Sequence, residues 1–172
     1  MSIDDKKAKL ESGIENLGSE VLEKGKKFAS KLPVVGHVAW LYSQLDSHKY
    51  FSMQDLEHRV IPPISLDQCK LYLQGKAGGL PAGFVSWAYL SDEAQEKYLH
   101  TRKIAPHDWK SGDNVWLIDV VAPWGGQDGI FKELKDGLLA GKDVNLLMPS
   151  GSNKFNSTTI QELLEIKSRK GH

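Results

Sequence analysis

Asp119 stands inside Trp116-Leu117-Ile118-Asp119-Val120-Val121-Ala122, the most apolar stretch of the chain. Whichever face of a strand it occupies is otherwise apolar, and a lone carboxylate there is costly to desolvate, so something must pair with it. Two readings stay open. Backbone amides or a nearby arginine satisfy the carboxylate, or it orients a histidine, fixing the imidazole tautomer and stabilising the protonated ring. Six histidines are available: His37, His48, His58, His100, His107 and His172. His37 lies on an apolar helical stretch, where a satisfied core imidazole is the ordinary outcome. His100 and His107 stand in polar helix-end contexts, and His172 lies in the C-terminal tail. His48 follows Asp46-Ser47 and precedes Lys49-Tyr50-Phe51, a loop position from which a side chain can face a cleft.

Other chemistry is less well supported. The gaps between His37, His48 and His58 match no zinc spacing, so no metal is expected. Cys69 would suit a cysteine hydrolase with a histidine and an aspartate, but its strand setting favours an inert buried thiol. Gly125-Gly126-Gln127-Asp128-Gly129 falls between a strand and a helix, where glycines and helix N–H groups receive phosphate. A plain turn explains the same residues equally well, so Gly125 and Gly126 are cofactor-contact candidates by position alone.

These residues must be held by an ordered sheet. Cys69 to Leu73 and Ala82 to Leu90 read as a hairpin across the turn Gly75 to Gly79. Val115 to Ala122 reads as a central strand buried on both faces, and Val144 to Met148 as another strand. Helices are expected over Val34 to Leu45, over Ser52 to Val60 with Ser52 and Asp55 as a capping box, and from Ser91 to His100. Two more should run from Asp128 to Ala140, closed by Gly141, and from Thr159 to Ser168. Pro62-Pro63 should end the second of these helices, and Gly151 to Asn156 reads as a polar loop. The sum is a mixed α/β (α+β) single domain, a central mixed sheet covered by helices.

The boundary falls at Pro33, giving a helical arm over residues 1–32 and a folded domain over 33–172. In the arm, Leu10, Ile14, Leu17, Val21 and Phe28 form one helical stripe that needs a partner, either a packing surface or a second copy in a homodimer. Membrane-surface binding is disfavoured because acidic residues nearly match lysine there. The whole chain of 172 residues carries 22 Lys+Arg against 22 Asp+Glu. A zero balance excludes a broad phosphate-gripping face, so no nucleic acid is expected. No apolar run reaches the ~18 residues of a bilayer span, and the first residues lack the core of a signal peptide. One cysteine agrees with a reducing compartment, and a cytoplasmic location is expected.

Several segments in one order resemble a known family: Gly36-His37-Val38-Ala39-Trp40-Leu41, His48, Val60-Ile61-Pro62, Ser86-Trp87-Ala88-Tyr89-Leu90-Ser91, Lys97-Tyr98-Leu99, Asp108-Trp109-Lys110-Ser111-Gly112-Asp113 and Trp116 to Gly125. Together, over about Val34 to Leu139, they resemble the RTX toxin-activating lysine acyltransferases. That resemblance implies a fold similar to the GCN5-related N-acetyltransferases. It implies transfer of a fatty acyl chain from acyl-acyl-carrier protein, a phosphopantetheine thioester, to internal lysines of an RTX protoxin in the cytoplasm. No permanently bound cofactor is implied. The family's essential histidine falls on His48 and its aspartate on Asp119. Two positions depart from the family: Leu45 stands where serine is frequent, and Arg59 where asparagine is frequent. These departures favour the alternative of a non-catalytic, acyltransferase-like module that binds a protein partner.

A lysine amine with a pKa of about 10.4 is mostly protonated at neutral pH and needs a proton acceptor before it can attack a thioester. The resemblance gives that task to His48, with Asp119 holding it. Direct attack and an acyl-histidine intermediate both remain open as routes. An acidic carrier protein also needs local positive charge on a neutral molecule. Lys97, Arg102 and Lys103 are the candidates, with Lys49 and Arg59 nearer the presumed cleft.

Overall fold

The computed structural model describes residues 2–15, 18–48, 50–75, 79–151 and 154–170. The chain divides into two compact units, residues 1–33 and 34–172. In the first unit, α1 (Ile3–Glu15) and α2 (Ser19–Ala29) replace the single helix expected from the apolar stripe. Gly18 caps α2 with extended backbone, φ −55° and ψ 145°, so the chain leaves helical geometry there. Leu17, one position of the stripe, lies outside the described residues.

The second unit is built on a five-stranded sheet in the order β1 (Cys69–Gln74), β2 (Leu80–Leu90), β3 (Asn114–Val121), β4 (Val144–Pro149) and β5 (Phe155–Thr159). Neighbours are antiparallel except β3 and β4, which run parallel. The near-continuous apolar run of β3 fits its central place, covered on both faces. The β1–β2 hairpin forms as expected, although Lys76, Ala77 and Gly78 of its turn lie outside the described residues.

On one face, α3 (Leu32–Ser43) and a helical stretch over Met53–Ser65 bury Val38, Leu41, Tyr42, Val60 and Ile64 against Phe84 and Val121. Beside them, α6 (Asp92–Thr101) packs Ala94 and Tyr98 with Trp109 and Trp116. The opposite face carries α7 (Gln127–Glu133), continued by a π turn over Leu134–Leu138, and α8 (Ile160–Lys170). There Phe131, Leu134 and Leu163 close over Val85, Trp87, Leu117 and Leu146.

Two expectations are corrected. Pro62-Pro63 does not end the second helix: α4 (Met53–Asp55) passes through a π turn over Leu56–Val60 into α5 (Ile61–Ser65), with both prolines in the first turn of α5. That is where a missing N–H is tolerated. The carbonyl of His58, four residues before Pro62, accepts the Trp109 indole N–H at 2.9 Å instead. The polar stretch ending at Asn156 is not all loop, because Phe155 opens β5, an edge strand paired with β4. Its sequence Phe-Asn-Ser-Thr-Thr buries little, which removes the apolar alternation that marks a strand.

Two irregularities of β3 shape the functional region. Ser86 of β2 pairs with Asp119 and Trp87 with Leu117, so Ile118 is an extra residue, a β-bulge. The bulge sends Asp119 to the face of α3 and α5, away from Leu117. The register between β3 and β4 covers only Val115–Leu117 against Val144–Leu146. Past it the strands separate into a wedge of about 370 Å³, walled by Ile118, Asp119 and Val120 on one side and Leu147, Met148 and Pro149 on the other.

Candidate active site

Asp119 is 4% exposed, and its partner is an arginine. Arg59 Nε donates to Oδ1 at 3.0 Å and Oδ2 at 2.8 Å, and Arg59 Nη2 donates to Oδ1. The Tyr42 hydroxyl donates to Oδ2 at 2.9 Å. Charge-assisted, two-pronged contacts of this kind are among the stronger hydrogen bonds. Burial and then the Asp119 charge hold the Tyr42 phenol well above its usual pKa, so it stays a neutral donor. Burial disfavours the Arg59 charge, but Asp119 outweighs it and keeps the guanidinium firmly protonated.

Sequence spacing did not single out Tyr42. The signal available was a tyrosine on the apolar face of a helix beside Val38 and Leu41, where a buried hydroxyl requires a partner. Arg59 was marked as a departure from the family pattern and as positive charge near the presumed cleft, although a charge set directly before Val60-Ile61 also calls for a counter-charge.

His48 ends a 3₁₀ turn, Asp46–His48, and is only partly exposed. Its ring lies 4.5 Å from the Tyr42 ring, tilted by 46°, and Phe51 packs edge-on to Tyr42 at 4.9 Å. The Ser47 hydroxyl is 2.9 Å from Nδ1, donating or accepting according to the tautomer. His48 therefore meets the ring of Tyr42 and Asp119 its hydroxyl, and among the described residues no hydrogen bond joins His48 to Asp119 directly. A groove of about 480 Å³ opens at His48, with Tyr42, Phe51, Met53 and Leu56 in its walls. It is an apolar channel with one titratable nitrogen-bearing ring.

Burial lowers the His48 pKa below the usual 6.5; Arg59 acts in the same direction and Asp119 opposes both. The imidazole is thus neutral at pH 7 and able to accept a proton. A histidine depressed in the fold binds its proton more readily when unfolded, so its effect is nil above about pH 6.5 and destabilises the fold as pH falls below that value. A titration of the His48 Cε1–H resonance in the full chain is expected to show a midpoint below 6.5; a midpoint above it contradicts the burial described.

The remaining candidates are scattered. Gly125 and Gly126 follow β3 with φ of 94° and 92°, a left-handed pair that side chains with a Cβ adopt only at a cost; neither lines the wedge, which Gln127 after them does. Lys97 sits on α6 with Nζ 4.0 Å from Asp108, while Arg102 caps the same helix in left-handed geometry with its guanidinium over the Phe155 ring. Lys103 follows it and turns into a pocket with Arg59, so the three cations do not form one even patch. Lys49 lies outside the described residues. Among the described residues, no group of three His, Cys, Asp or Glu side chains could hold a metal ion, and no helix is long and apolar enough to cross a membrane.

A five-stranded mixed sheet flanked by helices, with a bulge and a wedge on its central strand, is consistent with the GCN5-related N-acetyltransferase-like class. Residues 27–162 match the RTX toxin acyltransferase family, and the chain belongs to it. It is 35% identical over 103 residues to the RTX-II toxin-activating lysine-acyltransferase ApxIIC of Actinobacillus pleuropneumoniae, covering 59% of this chain and 62% of that relative. It is 34% identical over 102 residues to the leukotoxin-activating lysine-acyltransferase LktC of Mannheimia haemolytica, 59% of each chain. It is 29% identical over 144 residues to the protein-lysine myristoyltransferase RtxC of Kingella kingae, 80% of this chain and 84% of that relative. The chain thus spans about three fifths of the length of the first two of these relatives.

Proposed function

We propose that the chain is a protein-lysine fatty acyltransferase that moves an acyl group from acyl-acyl-carrier protein to internal lysines of an RTX protoxin in the cytoplasm. The observation that carries this reading is the meeting of His48 and the Asp119–Arg59–Tyr42 cluster beside the wedge between β3 and β4, in a chain of an acyltransferase family. The edges of β3 and β4 that face the wedge carry backbone N–H and C=O groups outside the β3–β4 ladder. An extended, amide-bearing phosphopantetheine arm suits such an edge, because it can pair with a strand as a peptide does. Gly125 and Gly126 directly precede Gln127 of the wedge lining, and Lys97, Arg102 and Lys103 offer positive charge to an acidic carrier.

The acceptor lysine enters the groove at His48. Neutral His48 takes a proton from the ε-ammonium, and the freed amine attacks the thioester carbonyl. The tetrahedral oxyanion is met by backbone N–H groups along the wedge. Collapse breaks the C–S bond, the imidazolium returns its proton to the leaving thiolate, and the second proton of the attacking nitrogen passes to water as the neutral amide forms. Asp119, held by Arg59, acts on His48 through Tyr42 rather than by touching it.

One observation favours a second reading. Arg59 and Tyr42 occupy both oxygens of Asp119, so the carboxylate is spent on structure, as it would be in a non-catalytic module binding a protein partner. Co-expression with a candidate RTX protoxin, followed by mass spectrometry of its lysines, separates the two. Lysine acylation that disappears with His48→Ala is expected; an unmodified cognate protoxin would establish the binding module.

A further inference from the structure

Beside the groove, on the other side of the helical stretch Met53–Val60, lies a second pocket of about 180 Å³. Its floor is apolar, made by Ile104, Trp109 and Ile118, and its walls bring together Arg59, Arg102 and Lys103. The carboxylate in the wall, Asp55, is already engaged: its Oδ2 accepts the Ser52 backbone N–H at 2.8 Å and the Ser52 hydroxyl at 2.7 Å. Asp119, beneath the pocket, takes Nε and Nη2 of Arg59 but leaves Nη1 without a hydrogen bond among the described residues. Arg102 and Lys103 form no ion pair among the described residues; Arg102 is steadied over the Phe155 ring at 4.8 Å and by its place as the left-handed cap of α6.

Tyr98 supplies an independent observation. It is 6% exposed, lines the pocket, and its hydroxyl has no hydrogen-bond partner among the described residues. A phenol so deeply placed ordinarily finds a partner. It lies close enough to Arg59 and Asp119 to feel both charges.

We propose that this pocket binds an oxyanion, a carboxylate or the phosphate of a phosphate ester, held by Arg59 Nη1, the Tyr98 hydroxyl and the Arg102–Lys103 corner, with the apolar floor receiving the group that carries it. Three cations around a donor that opens into the pocket, with the local carboxylates already engaged, leave positive potential that an anion completes. The functional consequence rests on the acyl-transfer reading: Arg59 clamps Asp119, so the anion sits one side chain from the reacting centre. Two sources fit the chemistry. One is the phosphate of the donor's phosphopantetheine, and the other is an acidic side chain close in sequence to the acceptor lysine.

The test uses the full chain and a binding readout, so its outcome is independent of whether acyl transfer occurs. Inorganic phosphate is titrated at constant ionic strength while the Trp109 indole resonance, whose N–H is fixed on the His58 carbonyl at the pocket wall, is followed. A saturable shift is expected, weakened about tenfold by Arg102→Gln with Lys103→Gln and several-fold by Tyr98→Phe. Competition then identifies the source. Displacement by phosphopantetheine but not pantetheine supports the donor phosphate; displacement by a Lys-Glu peptide but not Lys-Gln supports an acceptor-side carboxylate. A shift reproduced by sodium chloride, unaffected by these variants, or displaced by neither competitor overturns the proposal.

Discussion

His48→Ala is expected to lower the rate of lysine acylation by about 10²- to 10⁴-fold, the range for losing a positioned general base, while the thermal midpoint stays close to that of the parent. The small effect on stability follows from position: His48 sits in a 3₁₀ turn at the groove wall, and the core beneath it is closed by Tyr42, Val38, Leu41 and Phe84. Mass spectrometry of protoxin lysines after a fixed reaction time measures the rate, and circular dichroism checks the fold. A variant that keeps more than about a tenth of the parent rate removes His48 from the chemistry, since a contribution of that size lies below general-base catalysis. Mixing the parent enzyme with acyl-acyl-carrier protein alone distinguishes the two routes. Acyl groups found on His48 before any acceptor is added would replace direct attack by a covalent intermediate.

Arg59→Met is expected to cost stability rather than chemistry alone. Removing one partner of a buried ion pair leaves the other charge uncompensated, at about 3–5 kcal/mol. The Arg59 side chain is 42% exposed against 3% for Asp119, which places the loss near about 3 kcal/mol, the lower end of that range. The second change, Asp119→Leu, should restore part of it, because an apolar site needs no counter-charge, while the Tyr42 hydroxyl left without its acceptor keeps back about 1–3 kcal/mol. Urea unfolding of Arg59→Met, Asp119→Leu and the double variant measures the coupling. Additive losses would mean that the pair contributes nothing beyond its separate side chains.

The order of elements was readable because each carried its own local signal. The Ser52–Asp55 capping box and the Ser91 cap both form, and the apolar run of β3 announced its burial. Polar Phe155–Thr159 gave no such signal, because an edge strand needs only backbone partners. Pro62-Pro63 read as a stop because the donor that stands in for the missing amide of Pro62, the indole N–H of Trp109 on the His58 carbonyl, lies far along the chain. In the site, the need of Asp119 for a partner was legible from its apolar neighbours, whereas the choice of Arg59, sixty residues earlier, depends on tertiary packing. Simple alternation would also have grouped Asp119 with Leu117. Nothing in the composition of that segment reveals the extra residue at Ile118.

That extra residue makes the two sides of β3 a matter of phase. Residues 114–117 and 119–121 follow separate alternations, joined at Ile118 as two gears are joined by an idler. Drawing the idler into the ladder would rotate every residue beyond it by half a period, delivering Asp119 into the interior under α7 and sending Val120 towards Tyr42. Deleting Ile118 would instead set Leu117 and Asp119 consecutively against Trp87 and Ser86 and leave both on their present sides. The phase of the outer half of β3 is therefore held by the one residue left out of the β2–β3 ladder, and the interior of the protein trades places with its reacting surface only if that ladder slips by one.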